Sequence, residues 1–490
     1  MTLPGLALSD LALADLALAV DGEILCGGAT KNFFGVQVHA RLRDSSRIDP
    51  RKPVLITRPQ RWGKHYEDLS LRLSDLERMG AACFITDVEV PARFLQDTRA
   101  CIIFVPDSVA ALRRLAAFQR NRIQGYVTAI TGTAGKTTTK DMLAMVSAKF
   151  IETFKSPYTA NTTIENYVNI SNTPVNVEHA IYELGIEGPN SLWSKSVACR
   201  PDFSIITSVG PAHLEKFYSL KNLATSKAEV FYGMQPEGTI MLYDDCAYLE
   251  QIIRLAKNKV HADHVLTYGR RTTSDFQIEA VHRLKSATEV TARIFSERVK
   301  FKLPPNRPHL EVNSLPVLAR CKLLNIDVDL AANELAKFSG SSGRSQILTL
   351  PTRRGQIKVI DDSYNANLVS IAAGLDTLDS IVCQRKVAVI GQIAELGRFE
   401  EQVHCELAGI LKTRGLSELV CVGAAMKAAS EQLKGVLSVH YAPSREDVVE
   451  ILRGILRSGD AVLVKGSNVV GLGVIVDDIR VLVESSGFFE

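Results

Sequence analysis

No two of the nine cysteines in this 490-residue chain stand at CxxC spacing, and their number is odd. Neither a paired disulfide framework nor a zinc site is therefore indicated. The thiols are expected to be reduced and half-buried, in a reducing compartment. Beyond the first 20 residues no apolar run approaches the roughly 18 residues of a membrane-spanning helix, so no span is expected. The opening MTLPGLALSDLALADLALAV is apolar enough to resemble a signal peptide, but it lacks a basic n-region, and Asp10 and Asp15 interrupt it. Its period-five repeat (LALSD, LALAD, LALAV) reads as a helix or strand packed on the first domain. Charge of one sign is also lacking. The 57 Lys and Arg against 54 Asp and Glu leave +3, too little to mark a nucleic-acid or membrane-surface protein. With 46% hydrophobic and 23% charged residues, disorder of the whole chain is excluded. What is left is a globular protein, expected in the cytoplasm.

The length fits about three domains. Residues 1–122 form the first, with strand-like runs VLITR (54–58), ACFIT (82–86) and CIIFV (101–105), an amphipathic helix over 69–79 and a closing helix over 108–122. Residues 123–342 form the second. YVTAI leads into TGTAGKTTT and then the helical KDMLAMVSAKF, and strand runs recur at 180–184, 203–209, 239–243 and 264–269. Such alternation predicts a parallel α/β sheet, with a small antiparallel hairpin over 289–304 at its end. Residues 343–490 form the third. Runs at 358–364, 386–391, 418–423 and 461–466, separated by helical stretches, predict a Rossmann-like domain. The fold expected is thus α/β throughout: a small divergent N-terminal α/β domain, a central P-loop-type ATPase domain with a parallel sheet, and a C-terminal Rossmann-like domain.

The sharpest local signal is Thr131-Gly132-Thr133-Ala134-Gly135-Lys136-Thr137-Thr138. A strand enters and a helix leaves, the context a phosphate loop requires. Glycines let the backbone turn and present N–H groups to phosphate oxygens, and the helix N-terminus adds positive potential. Lys136 is placed to reach the β/γ-phosphates and Thr137 to coordinate Mg²⁺. The spacing is shorter than a full Walker A motif, which needs glycine where Ile130 stands. A chance Gly-Lys-Thr helix cap is the alternative, and the flanking strand and helix weigh against it. Glu183 and His213 follow at or just past strand C-terminal ends, the side of an α/β sheet where ligands bind. Alone, the first is more often a solvated Glu and the second a structural His. Lys227, on a helix two residues before Glu229, has nothing by itself to set it apart from a surface lysine.

Taken together, GTAGKTT, YELG and SVGPAHLEKFYSLKNLATSKAEVF resemble the central ATPase domain of the Mur ligases of cell-wall synthesis, in order and spacing. In the third block, DDSYNAN (361–367), IAELG (393–397) with His404 downstream, and VLVKGS (462–467) are similar to the D-alanyl-D-alanine-adding branch of that family. The resemblance spans roughly residues 105–480. It implies that Gly132, Thr133, Ala134, Gly135, Lys136, Thr137 and Thr138 hold the phosphates of ATP, and that Asn313 contacts adenine. Arg344 would reach the γ-phosphate, and Asp362 would lie near the ribose. Thr137 and Glu183 would bind one Mg²⁺, and His213 with Lys227 a second, Lys227 being carbamylated. Ser363, Tyr364, Asn365, Asn367 and Lys465 fall where the amine substrate is held, and Asn161 matches a substrate-binding position loosely. Lys136, His213, Lys227 and Arg344 would carry the catalysis.

The reaction implied is ADP-forming amide synthesis through an acyl phosphate, on small-molecule substrates: a UDP-linked muramoyl tripeptide and D-alanyl-D-alanine. No nucleic-acid or membrane partner is implied, and the chain would act as a monomer. Some positions depart from the pattern. Ser208, Leu368, Gln392 and Asn468 stand where the family usually has Asn, Pro, Asp and Arg. The first domain, which in the family grips the uridine nucleotide, is the most divergent, with Ser46, Arg47 and the segment 61–68 as its nearest matches. Two alternatives stay open: the same chemistry on another carboxylate and amine pair, and a nucleotide-binding regulator without catalysis.

Overall fold

The computed structural model describes residues 11–28, 32–38, 48–56, 69–340 and 343–484. Ser46, Arg47 and the segment 61–68 lie outside the described residues. The chain divides into two compact units. The first holds the described residues up to Ala129 with Ile151–Asp202 and Val230–Gln235; the second holds Ile130–Phe150, Phe203–Glu229 and everything from Pro236 onward.

In the first unit the apolar runs become Val54–Ile56, Cys83–Thr86 and Cys101–Phe104, paired in parallel. Strands this uniformly apolar suit burial on both faces, and Val54, Phe84 and Ile102 are inaccessible to solvent. Gln37–Val38 extends the sheet at one edge, and Glu23–Cys26 adds antiparallel at the other. The helix Ser108–Arg122 begins where the Asp107 carboxylate accepts the N–H groups of Val109 and Ala110 at 2.8 and 2.9 Å, capping orphan donors of the first turn. The N-terminal repeat contains both expected elements, a strand Leu11–Ala12 and a helix Leu13–Val20 packed against Ser108–Arg122. Later in this unit Thr153–Lys155 runs parallel to His179–Glu183, with helices Thr163–Ser171 and Ser191–Cys199 alongside.

In the second unit Phe203–Ile206, Thr239–Tyr243, Val265–Gly269 and Phe276–Arg283 pair in parallel in that order. Thr288–Ile294 and Glu297–Leu303 then complete an antiparallel end. The helix Lys136–Ser147 packs against Pro308–Leu323 and Val328–Leu335. From Gln346 onward a six-stranded sheet runs in the order Gln346–Thr352, Gly355–Asp361, Asp460–Lys465, Arg385–Gly391, Glu418–Val422, Val439–Ala442, the first strand antiparallel and the rest parallel. Two apolar clusters use the alternate faces of these strands. Ile360, Ala388 and Leu463 join the one formed with helices Leu368–Ser380 and Glu400–Lys412, and Val359, Val389 and Val462 the one formed with Val448–Ile455 and Gly473–Glu484. This is the doubly wound arrangement expected, a fold that generally binds ligands at the carboxyl ends of its strands.

All nine cysteines are free, and six of them are buried. No helix among the described residues is long and apolar enough to cross a membrane.

Candidate active site

The strand Tyr126–Thr131 ends at a tight loop, and the helix Lys136–Ser147 starts at Gly135 with φ 83°. Gly132 has φ 151°, and a Cβ there would lie 2.0 Å from Thr207 Oγ1. Both the backbone conformation and the close approach therefore demand glycine. The loop is braced from the segment after Phe203–Ile206. Ser208 Oγ accepts the Ala134 N–H at 2.8 Å, Ser208 O accepts the Thr133 N–H at 2.9 Å, and Thr207 Oγ1 donates to Ala134 O at 2.5 Å. Ser208, a departure from the family pattern, thus supports the loop directly. Lys136 Nζ curls back to Gly132 O (2.8 Å) and Thr133 O (3.4 Å). Thr137 is buried in the first turn. Asn313, on Pro308–Leu323, abuts the loop: a Cβ on Gly135 would lie 3.4 Å from its Oδ1. A glycine turn at a helix N-terminus with a lysine folded over it has the donors and positive potential a polyphosphate needs.

Lys227 lies on Leu220–Ala228 and is 1% exposed. Burial holds its amine well below the usual ammonium range, and the nearby Lys136 ammonium adds to the effect. A neutral amine is the form that reacts with CO₂, so the site suits a carbamate. His213 caps the one-turn helix Leu214–Phe217, and its Nδ1 meets the Glu395 carboxylate. That imidazole holds the Glu395 carboxyl below its usual range despite partial burial.

The third block contributes the strand ends. Asp362 pairs with Lys465 Nζ at 2.6 Å and accepts the Ser345 N–H at 3.1 Å. Burial lifts its carboxyl above the usual range even with Lys465 and Arg344 beside it. Lys465 also donates to Asn365 O at 2.9 Å. The Arg344 guanidinium lies over the Tyr364 ring. The strand expected over 358–364 stops at Asp361, because Asp361 Oδ1 accepts both the Ser363 N–H (3.3 Å) and the Ser363 hydroxyl (2.6 Å) and turns the chain. Asn367 caps Leu368–Ser380, its Oδ1 accepting the Ser370 N–H at 2.9 Å, while its Nδ2 donates to Thr133 O of the phosphate loop at 3.3 Å. His404 is internal support: Nε2 accepts the Ile393 N–H at 3.1 Å, so Nδ1 donates to Glu400 O at 2.7 Å.

Asn161 and Glu183 belong to the first unit. Glu183 is fully buried and accepts Asn161 Nδ2 at 2.8 Å. Lys195, equally buried, donates to Asn161 O (3.0 Å) and Gly185 O (2.6 Å) and pairs with Glu187 at 2.9 Å, which also accepts the Thr163 hydroxyl at 2.7 Å.

Within the second unit the structure brings together the phosphate loop, Asn313 and Asn367, and separately groups Arg344, Asp362, Tyr364 and Lys465. Sequence reasoning missed Glu395, Lys195 and Thr207. Glu395 sits in the quoted IAELG motif but its partner is 182 residues away, Thr207 reaches Ala134 across 73 residues, and Lys195 contacts the nearer Gly185 and Glu187, which no motif marks. Among the described residues no group of three or more His, Cys, Asp or Glu is placed to hold a metal ion. The donors implied for Mg²⁺, chiefly a hydroxyl and a buried carboxylate, are hard oxygens, and this ion is commonly held by one or two carboxylates together with substrate phosphates.

Residues 130–319 match the family model of the Mur ligase middle domain, and residues 343–468 match that of the Mur ligase glutamate ligase domain. The UDP-N-acetylmuramoyl-tripeptide–D-alanyl-D-alanine ligase of Rickettsia prowazekii is 26% identical over 376 residues, which are 77% of this chain and 83% of that protein. The crystal structure of MurF from Acinetobacter baumannii superposes with a TM-score of 0.82 at 20% identity, over 97% of this chain and 100% of its own. The MurF ligase of Thermotoga maritima, solved in complex with ADP, gives 0.76 at 21% identity, over 92% of this chain and 98% of its own. The two family models follow one another in chain order over the phosphate loop and the third block, and this chain belongs to the Mur ligase family.

Proposed function

We propose that this chain is an ATP-dependent, ADP-forming ligase that joins D-alanyl-D-alanine to a UDP-linked muramoyl tripeptide in peptidoglycan synthesis. Residues 1–122 take the carboxylate substrate, 123–342 the nucleotide and 343–490 the amine. The observation that carries the reading is the reach of Asn367, from the amine-binding block, to Thr133 of the phosphate loop. A reaction in which one substrate is phosphorylated and a second then attacks it needs these two surfaces adjacent.

A carboxylate oxygen attacks the γ-phosphorus and ADP leaves. The amine nitrogen then attacks the acyl carbon, a proton is lost, and phosphate leaves as the amide forms. Anion meets anion in the first step, and Lys136 and Arg344 offset that repulsion. Mg²⁺, when bound with the nucleotide, would supply further neutralisation, one ion held by Thr137 and Glu183 and a second by His213 and the Lys227 carbamate. Asn313 is assigned to adenine, Asp362 to the ribose, and Ser363, Tyr364, Asn365, Asn367 and Lys465 to the amine, with Asn161 as a further substrate-binding residue. The third block, seated over the phosphate loop, excludes the water that would hydrolyse an acyl phosphate. The enzyme is assigned to the cytoplasm, as a monomer.

The test is phosphate release from ATP and Mg²⁺ with UDP-muramoyl tripeptide and D-alanyl-D-alanine, the product identified by mass. A pentapeptide product is expected. ATP binding without any product would favour the same chemistry on another substrate pair. One observation supports that second reading: the two positions where the family usually has charges carry neutral amides, with Gln392 accepting the Ala425 N–H at 3.1 Å and Asn468 donating to Tyr364 O at 3.2 Å.

A further inference from the structure

The segment 213–218 leaves the ATP-binding block and enters the third one. Leu214 is 6% exposed and belongs to the third block's apolar cluster, with Ile393, Leu396 and Val403. Around it the chain is bent into conformations that side chains rarely adopt: His213 has φ 52° and Tyr218 φ 59°, and on the facing loop Glu395 has φ 59° and Gly397 φ 52°. Residues held this way persist only when their surroundings over-determine them, and they cluster at switch and ligand regions. The surroundings here are mutual. Glu395 O accepts the Glu215 N–H at 3.3 Å, Arg398 Nη2 donates to Tyr218 O at 3.3 Å, and Glu395 meets His213 Nδ1.

The chemistry of that last contact is directional. A carboxylate only accepts, so His213 Nδ1 carries a proton, and in the neutral ring this tautomer leaves the lone pair on Nε2. Imidazoles that ligate metals characteristically donate their other N–H to a carboxylate, which fixes ring orientation and tautomer. Here the carboxylate comes from a different block than the imidazole.

We infer that Glu395 is a positioning residue for His213, and that seating Leu214 in the third block and completing the His213 cation site are one event. This rests on the role proposed for His213 above. Without the third block in place, the imidazole lacks its orienting partner. With it in place, the nucleotide-bound cation and the amine-binding surface are assembled together. Phosphoryl transfer would thereby await the block that supplies the amine.

The test uses the full chain with Mn²⁺ and a non-hydrolysable ATP analogue, bound ions being counted by electron paramagnetic resonance. The unsubstituted protein is expected to bind two Mn²⁺ per chain. Glu395→Gln should retain the nucleotide and the tighter ion and weaken the second ion about tenfold or more. Glu395→Asp, which keeps the carboxylate, should recover part of that loss. Gly397→Ala should mimic Glu395→Gln, because its new Cβ would lie 2.9 Å from Glu215 Cβ and force the loops apart. A folded Glu395→Gln protein that binds both ions as tightly as the parent overturns the inference. So does a Gly397→Ala protein of that kind, should Glu395→Gln fail to fold. A parent that binds the nucleotide but fewer than two ions overturns the role given to His213 itself, and is recognised before any variant is made.

Discussion

The guanidinium of Arg344 sits 4.2 Å from the centroid of the Tyr364 ring. The two residues are tied through the backbone as well, since the Tyr364 N–H donates to Gly343 O at 3.1 Å. On the proposed assignments, Arg344 to the γ-phosphate and Tyr364 to the amine, the stack would link the two halves of the reaction.

Removing the ring should therefore misplace Arg344. A cation–π contact at a partly exposed site is worth about 1 kcal/mol, or roughly fivefold in rate. Tyr364→Ala should lower kcat for phosphate release by about that factor, with Tyr364→Phe near the parent. Equal losses in both would assign the effect to the hydroxyl.

Lys136→Ala should reduce phosphate release by about a hundredfold or more, since a cation that stabilises transition-state charge is lost. Circular dichroism should show the fold retained. Turnover at the parent rate would remove the phosphate-loop assignment.

Lys227→Ala should be inactive and should recover partly in millimolar acetate or formate, which can occupy the place of the carbamate, whereas bicarbonate alone should not help. Full activity without any additive would refute the carbamate.

His309 gives a pH prediction. Burial, with Arg307 and Lys465 nearby, lowers its imidazolium to about 4 from an ordinary 6.5, and Nδ1 is buried without a hydrogen-bond partner. The unfolded chain takes up this proton first as pH falls. The folded state is thus penalised progressively from about pH 6.5 down to about pH 4, and the stability present at neutral pH is lost there. Melting temperatures at about pH 7 and pH 4.5 should differ less for His309→Gln than for the parent. An unchanged difference would show that the site titrates normally.

The elements that define the catalytic layout were legible in the sequence, and those that frame it were less so. Tyr126–Thr131, Thr239–Tyr243 and Arg385–Gly391 are buried strands whose apolar runs are almost unbroken. Phe276–Arg283 went unseen because a bulge between Ile278 and Ala280 breaks its alternation. Gln346–Thr352 carries Pro351, which signals against a strand and is tolerated here because the strand lies at the sheet edge. Val439–Ala442 is short and also at an edge. Of the candidate site, the sequence offered the residues of its motifs but not their pairing: Glu395 stands inside the IAELG motif, yet its contact with His213 spans 182 residues and no spacing announces it.

Lys195 has a consequence for how fast ligands bind. Its ammonium joins the loop at Asn161 to the loop at Gly185 and Glu187 from within the first unit alone. Both loops are therefore tied by one buried cation within the folded unit. On the proposed assignment of Asn161 to substrate, that residue is already held by Glu183 and Lys195, so less entropy should be lost there on association. On that side the association rate should be governed by diffusion and charge, with no slow conformational phase, while any lag belongs to the seating of Leu214.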